Sequence, residues 1–119
     1  RVCGSGCRNS SAVSFRVLLL PAAEGDLEDI WHHVAHTDGR GRADRLLDAL
    51  EERCQVLADM PNRGNVPKEL RSLGITEYRE LHQGPYRIIY RIMVERVVVY
   101  AVLDERRDMQ SLLLRRLTR

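Results

Sequence analysis

Near Pro61 the apolar residues change from a three-to-four-residue repeat to alternation, which commits the chain to helices first and most of its strands last. Upstream, Ala23, Leu27, Ile30, Trp31 and Val34 recur at helical steps. Glu24, Asp26, Glu28 and Asp29 suit the positive end of a helix dipole, and Pro21 suits a first helical turn. This predicts a helix over 22–36, ended by Thr37-Asp38-Gly39. A second helix, 41–60, follows with Ala43, Leu47, Leu50, Cys54 and Leu57 on one stripe. So short a connection implies an antiparallel hairpin of helices. Pro61-Asn62-Arg63-Gly64-Asn65 then stops the helical pattern.

Downstream the spacing predicts strands over 76–82, 86–93 and 96–103, the first two joined by a turn at His82-Gln83-Gly84-Pro85. In the middle strand Tyr86, Ile88, Tyr90 and Ile92 share one face, and Arg87, Ile89, Arg91 and Met93 the other. The third strand is apolar enough to be central. A closing helix, 108–117, puts Met109, Leu112, Leu113 and Leu117 on one side. Phe15 to Leu20 is β-prone and must join the sheet or stay an unpaired edge. The expected class is α+β: a small antiparallel sheet, from the N-terminal strand and three C-terminal strands, packed on one face against the helical hairpin, with a short C-terminal helix. At 119 residues this is one domain, 14–119.

Net charge conceals an asymmetry. The formal sum is +2, but residues 14–60 hold five basic and ten acidic side chains, whereas 61–119 hold twelve basic and seven acidic. The excess therefore comes from Arg1 and Arg8, in a segment without acids. A basic half could meet an anionic partner or be ordinary solvated surface. Eighteen of the nineteen basic residues are Arg, with Lys68 the exception, a bias that GC-rich coding also produces.

Residues 1–13 are small and polar, without helical period or a signal peptide's apolar stretch, and read as a disordered leader, a processed start or an expression remnant. Cys3, Cys7 and Cys54 make neither a metal quartet nor a disulfide framework, and Cys54 reads as a buried small hydrophobe. His32 and His36 lie one helical turn apart, but they read as solvated surface rather than metal ligands. Trp31, Tyr86 and Tyr90 read as core aromatics. No apolar run approaches the roughly 20 residues of a membrane helix. A cytoplasmic, reduced setting without cofactor or metal is expected.

The stretches YRELHQGPYRIIYRI and VVVYAVLDERRDM, in this element order, make the chain resemble the RelE/ParE superfamily of toxins from bacterial type II toxin–antitoxin systems. The resemblance covers nearly all of 14–117. It implies a growth-arresting toxin neutralised by a cognate antitoxin, with a possible higher-order toxin–antitoxin assembly. RelE-like members cut messenger RNA on the ribosome; ParE-like members poison DNA gyrase.

Metal-free RNA cleavage needs a base for the 2′-hydroxyl, a cation for the phosphorane and an acid for the leaving oxygen. Arg87 matches the strand arginine that RelE-like nucleases set against the scissile phosphate, and Arg107 falls where a second lies. Glu69 matches the glutamate base of another nuclease pattern in the superfamily. The remaining partners depart from both patterns: Tyr78 and Glu80 stand where paired basic residues would be, and no tyrosine follows Tyr100. The catalytic set, for a nuclease, is therefore Arg87, Arg107 and Glu69, with His82 as a further proton carrier. For a target-binding toxin it is the basic surface of Arg79, Arg87, Arg91, Arg106 and Arg107. The incomplete acid–base set favours the ParE-like reading. A catalytically inert toxin fold that only binds its antitoxin is the third alternative. Arg87 and Arg91 could also simply pair with Glu77 or Glu80 across the hairpin.

Overall fold

Leu20 is the last extended residue before the first helix, and Pro21 occupies that helix's first turn, where its missing N–H costs nothing. The computed structural model describes residues 2–3 and 15–117. Strand β1 is Val2–Cys3 and β2 is Arg16–Leu19. Helices α1 (Pro21–Asp38) and α2 (Arg40–Asp59) are separated by the single residue Gly39, whose φ of 97° lets the chain reverse. A 3-10 turn (Pro61–Arg63) and a four-residue helix α3 (Lys68–Arg71) lead to β3 (Arg79–Gln83), β4 (Tyr86–Met93) and β5 (Arg96–Asp104). Helix α4 (Met109–Leu117) closes the fold. Its N-terminus is capped by Asp108, whose carboxylate accepts from Ser111 N and Ser111 Oγ.

The sheet order is β1-β2-β5-β4-β3. Strands β3, β4 and β5 form an antiparallel meander, but β2 pairs with β5 in parallel, so the α+β sheet is mixed rather than wholly antiparallel. The hairpin of helices between β2 and the meander supplies the long crossover that a parallel neighbour requires. Of the segment expected to be a leader, Val2–Cys3 pairs antiparallel with β2; the remainder of 1–13 lies outside the described residues.

Both faces of the sheet are covered, which corrects the expectation of helices on one face only. The larger cluster joins Leu27, Leu50, Cys54 and Leu57 of the hairpin to Val17, Leu81, Ile88, Tyr90, Val97 and Val99. The smaller, on the opposite face, joins Leu70, Tyr78, Ile89, Ala101 and Leu103 to Met109, Leu112 and Leu113. The alternation in β4 makes this possible: Ile88 faces the hairpin and Ile89 faces α3 and α4. Each such large side chain withdrawn from water contributes about 1.5–3 kcal/mol. Tyr86 and Tyr90 are core residues as expected. Trp31 is not: it is half-buried on the hairpin surface, and its indole N–H donates to Asp44 Oδ1 at 2.8 Å.

Strand β2 accompanies β5 only as far as Val99, because Pro21 turns the chain into α1. Beyond that point the edge of β5 is satisfied by side chains. Val102 N donates to Asp26 Oδ2 at 2.9 Å, and Tyr100 O accepts from Arg116 Nη2 at 3.2 Å. Asp26 and Arg116 are themselves joined by two bonds of 3.0 and 2.9 Å. One bidentate ion pair thus ties α1 to α4 and closes the strand edge.

Candidate functional site

Register in the β3–β4 hairpin places Arg87 opposite His82 and Glu80 opposite Ile89, so all three side chains lie on the face covered by α3 and α4. Arg87 cannot leave its surroundings easily. Its side chain is about 10% exposed; Nη1 donates to Glu69 Oε1 at 2.9 Å and to Glu80 Oε1 at 3.1 Å. Nε reaches Glu105 Oε1 at 3.5 Å. Glu69 comes from α3, Glu80 from β3 and Glu105 from the loop after β5, whose backbone N–H is held by Pro85 O at 2.8 Å. His82 adjoins the same carboxylates, with Nε2 3.3 Å from Glu80 Oε2 and Nδ1 3.9 Å from Glu105 Oε1.

Three carboxylates thus surround one guanidinium. Burial works against the Arg87 charge, but the Glu69 hydrogen bond and the charges of Glu80 and Glu69 outweigh it and raise its pKa. Burial likewise pushes the Glu69 carboxyl up, yet the Arg87 hydrogen bond, a backbone hydrogen bond and the Arg87 charge hold it below its ordinary value. By formal count, one guanidinium among three carboxylates leaves the cluster with an acidic excess. A phosphodiester brought to Arg87 would meet glutamates on three sides, the reverse of what phosphorane stabilisation requires.

Glu80 is pinned from the opposite direction. Asn65 Nδ2 donates to Glu80 Oε2 at 3.0 Å, and the backbones of Asn65 and Glu80 exchange bonds of 3.2 and 2.7 Å. The adjoining loop is keyed by Gly64, where a Cβ would stand 2.3 Å from Glu80 O and 2.7 Å from Tyr90 Oη. Tyr90 Oη accepts from Gly64 N at 3.0 Å and donates to Pro61 O at 2.7 Å.

The remaining candidates do not gather around Arg87. Arg79 Nη1 donates to Gly64 O at 2.7 Å, and so ties the same loop. Arg91 lies 5.9 Å over the Tyr78 ring, which meets Tyr100 edge-on at 5.2 Å. Arg106 is exposed and paired with Asp104 at 2.6 and 2.9 Å. Arg107 is exposed, without a side-chain hydrogen bond or ion pair among the described residues, and does not touch the Arg87 cluster. Four of the five basic side chains therefore have partners within the fold. Sequence reasoning overlooked Glu105; it set Glu80 at a displaced catalytic position and also offered it as a cross-hairpin partner of Arg87, and the pairing is what the structure has. The Gly84-Pro85 turn held the signal for Glu80: it sets a register that brings Glu80 diagonally beside Arg87. Among the described residues no group of three or more His, Cys, Asp and Glu is disposed to hold a metal ion, and no helix is long and apolar enough to cross a membrane.

Comparison with known proteins shows the family and the fold. The family described as "ParE toxin of type II toxin-antitoxin system, parDE" matches residues 17–109. Toxin ParE1 of Mycobacterium tuberculosis, in strains CDC 1551 / Oshkosh and ATCC 25618 / H37Rv, is 33% identical over 97 residues, spanning 81% of this chain and 95% of the relative. Among solved structures, the chromosomal ParDE system from P. aeruginosa matches with a TM-score of 0.65 at 18% identity, over 76% of this chain and 96% of that one. The RelBE2 toxin–antitoxin complex from Mycobacterium tuberculosis matches with a TM-score of 0.59 at 24% identity, over 81% and 97%. At those identities the two structures speak for a shared fold.

Proposed function

The chain belongs to the ParE toxin family of type II toxin–antitoxin systems, and from that premise we propose that it arrests growth by binding and inhibiting DNA gyrase in the cytoplasm, not by cutting RNA. The observation that carries this reading is the state of Arg87. The arginine best placed to stabilise a phosphorane is enclosed by Glu69, Glu80 and Glu105 and serves the fold. Inhibition by binding needs no proton relay and no free phosphate-binding cation, so the enclosure costs such a toxin nothing.

The cognate antitoxin is the second partner. A groove of about 260 Å³ between α1 and α2, lined by Leu27, Trp31 and Leu47 together with Glu24, Glu28 and His32, offers a seat for a short amphipathic helical segment of it. A larger toxin–antitoxin assembly follows if the antitoxin is itself an oligomer.

The test is direct. Purified toxin added to gyrase should inhibit supercoiling, and antitoxin should reverse that; translation in a cell-free system should continue with intact transcripts. Gyrase that supercoils normally while expressing cells still arrest would overturn the proposal. One observation favours the ribosome-dependent endoribonuclease: Arg87 and Glu69, which match the arginine of one nuclease pattern and the glutamate of another, meet at 2.9 Å. That alternative predicts transcripts cut on the ribosome and activity lost in Arg87→Ala. An inert toxin-fold module predicts no growth defect on expression without antitoxin.

A further inference from the structure

The turn joining β4 to β5 combines two unfavourable features; among the described residues its backbone is tied to β2 by Arg16 N, which donates to Glu95 O at 3.2 Å, but no side-chain contact offsets either feature. Met93 and Arg96 are register partners, leaving Val94 and Glu95 as a two-residue turn. Val94 has a φ of 53° and is the one non-glycine residue with positive φ among the described residues. The other positive-φ positions, at 39, 74 and 84, are glycines. A β-branched side chain is poorly suited to this region, where a tight hairpin ordinarily recruits Gly or Asn. Packing does not explain the choice, because Val94 is 90% exposed and its neighbour Met93 38%.

Beside the turn, Arg16 of β2 and Arg96 of β5 are aligned in the parallel register. Both are exposed, and neither side chain has a hydrogen bond or ion pair among the described residues. Like charges on adjacent strands repel. With Val94 and Glu95 they line a recess of about 370 Å³.

We propose that this turn is a docking prong for an acidic segment of the toxin's protein target. The paired guanidiniums would take two carboxylates of the partner, and Val94 and Met93 an apolar side chain beside them. Such a partner removes the repulsion between Arg16 and Arg96 and buries the exposed apolar tip. A nucleic-acid backbone fits less well: it would leave Val94 and Met93 without a counterpart and set phosphates against Glu95. The assignment rests on the reading of the target as a protein, gyrase in the first instance.

Two variants test it, Val94→Gly and Arg16→Gln/Arg96→Gln, each measured for thermal midpoint, gyrase inhibition and antitoxin binding. Because each removes an unfavourable feature of the free protein, the midpoint should be unchanged or higher by a few degrees. The concentration for half-inhibition of supercoiling should rise about fivefold or more, while antitoxin affinity stays within about twofold; a tenfold change corresponds to 1.4 kcal/mol. Full inhibition by both variants overturns the prong, as does a lower midpoint in Val94→Gly or a loss confined to antitoxin binding. If the wild-type toxin spares gyrase, the gyrase reading falls on its own, and the variants are then scored by growth arrest. Arrest retained by both overturns the prong too, and arrest lost in both assigns it to another protein target.

Discussion

Replacing Arg87 with Met should destabilise the protein strongly while leaving its toxicity recoverable. The substitution keeps the apolar stem and removes the charge from a site where Glu80 is only about 6% exposed. The buried Glu80 carboxylate and the partly buried Glu69 carboxylate would then lie together without the guanidinium between them. Breaking a buried ion pair from one side costs about 3–5 kcal/mol. The Glu105 contact, at 3.5 Å and to a side chain 38% exposed, adds little. Against a typical total of about 5–15 kcal/mol the loss is severe; with an m-value near 1.5 kcal/mol/M it lowers the urea midpoint by about 2–3 M. Adding Glu69→Gln and Glu80→Gln should restore much of this, since neutral amides tolerate the site without the guanidinium. The pH dependence has a definite sign. In the wild type, Glu69 titrates below its ordinary value, so its contribution is complete above about pH 4.5 and disappears as pH falls through the folded pKa. The gap between wild type and Arg87→Met should therefore narrow in acid. Urea titrations from pH 7 to 4, with growth arrest measured for the restored triple variant, decide the matter. A midpoint shift under about 0.5 M, together with toxicity abolished in every Arg87 variant, would show that Arg87 acts on a target or substrate and refute the structural role.

Three further outcomes are expected. Gly64→Ala should cost about 2–4 kcal/mol in chemical unfolding, because its Cβ would overlap Glu80 O and Tyr90 Oη and free the loop that both groups hold. Asp26→Ala should cost about 2–4 kcal/mol, leaving Val102 N and Arg116 without their acceptor; amide exchange should accelerate most around 100–102 and in α4. Thermal stability should decline as pH falls below about 4, as three carboxyls held below their ordinary values take up protons. In Asp104 the Arg106 hydrogen bond is the cause, in Asp108 the Ser111 hydrogen bond, and in Glu69 the Arg87 interactions that outweigh burial. Added salt should shrink the Asp104 share, an ion pair with the exposed Arg106, more than that of Glu69.

Local pattern carried most of the architecture. The helical stripes from Ala23 to Val34 and from Ala43 to Leu57 locate α1 and α2 to within a few residues, because burial against a sheet demands that spacing. Alternation in β4 separates Ile88 from Ile89 correctly, although only the folded chain shows that both faces are covered. What was illegible is non-local. The parallel pairing of β2 with β5 joins residues about eighty positions apart, and nothing in Arg16 to Leu19 announces its direction. Helix α3 has four residues, too few for a period. The candidate site shows the same boundary more sharply. Arg87 was identifiable from its strand and turn, but its neighbours arrive from α3, β3 and the loop after β5. Counting charge by segment found a basic half, yet Arg79, Arg87, Arg91 and Arg106 each meet a partner from another part of the chain or from the neighbouring loop. A linear charge tally records how many cations exist and carries no information on which of them face water.

The Asp26–Arg116 pair makes the last turn of α4 a guard on solubility. Its guanidinium sits near the C-terminus of the fold, yet it occupies the hydrogen-bonding edge of a central strand. A chain clipped before Arg116 would lose little hydrophobic core, but it would bare Tyr100 O and leave Asp26 unanchored beside Val102 N. Such an edge is a template on which another copy can build. Nicked or prematurely terminated toxin should accordingly be found as aggregate, so that damage at this end removes the molecule from solution rather than releasing it in a loosened form.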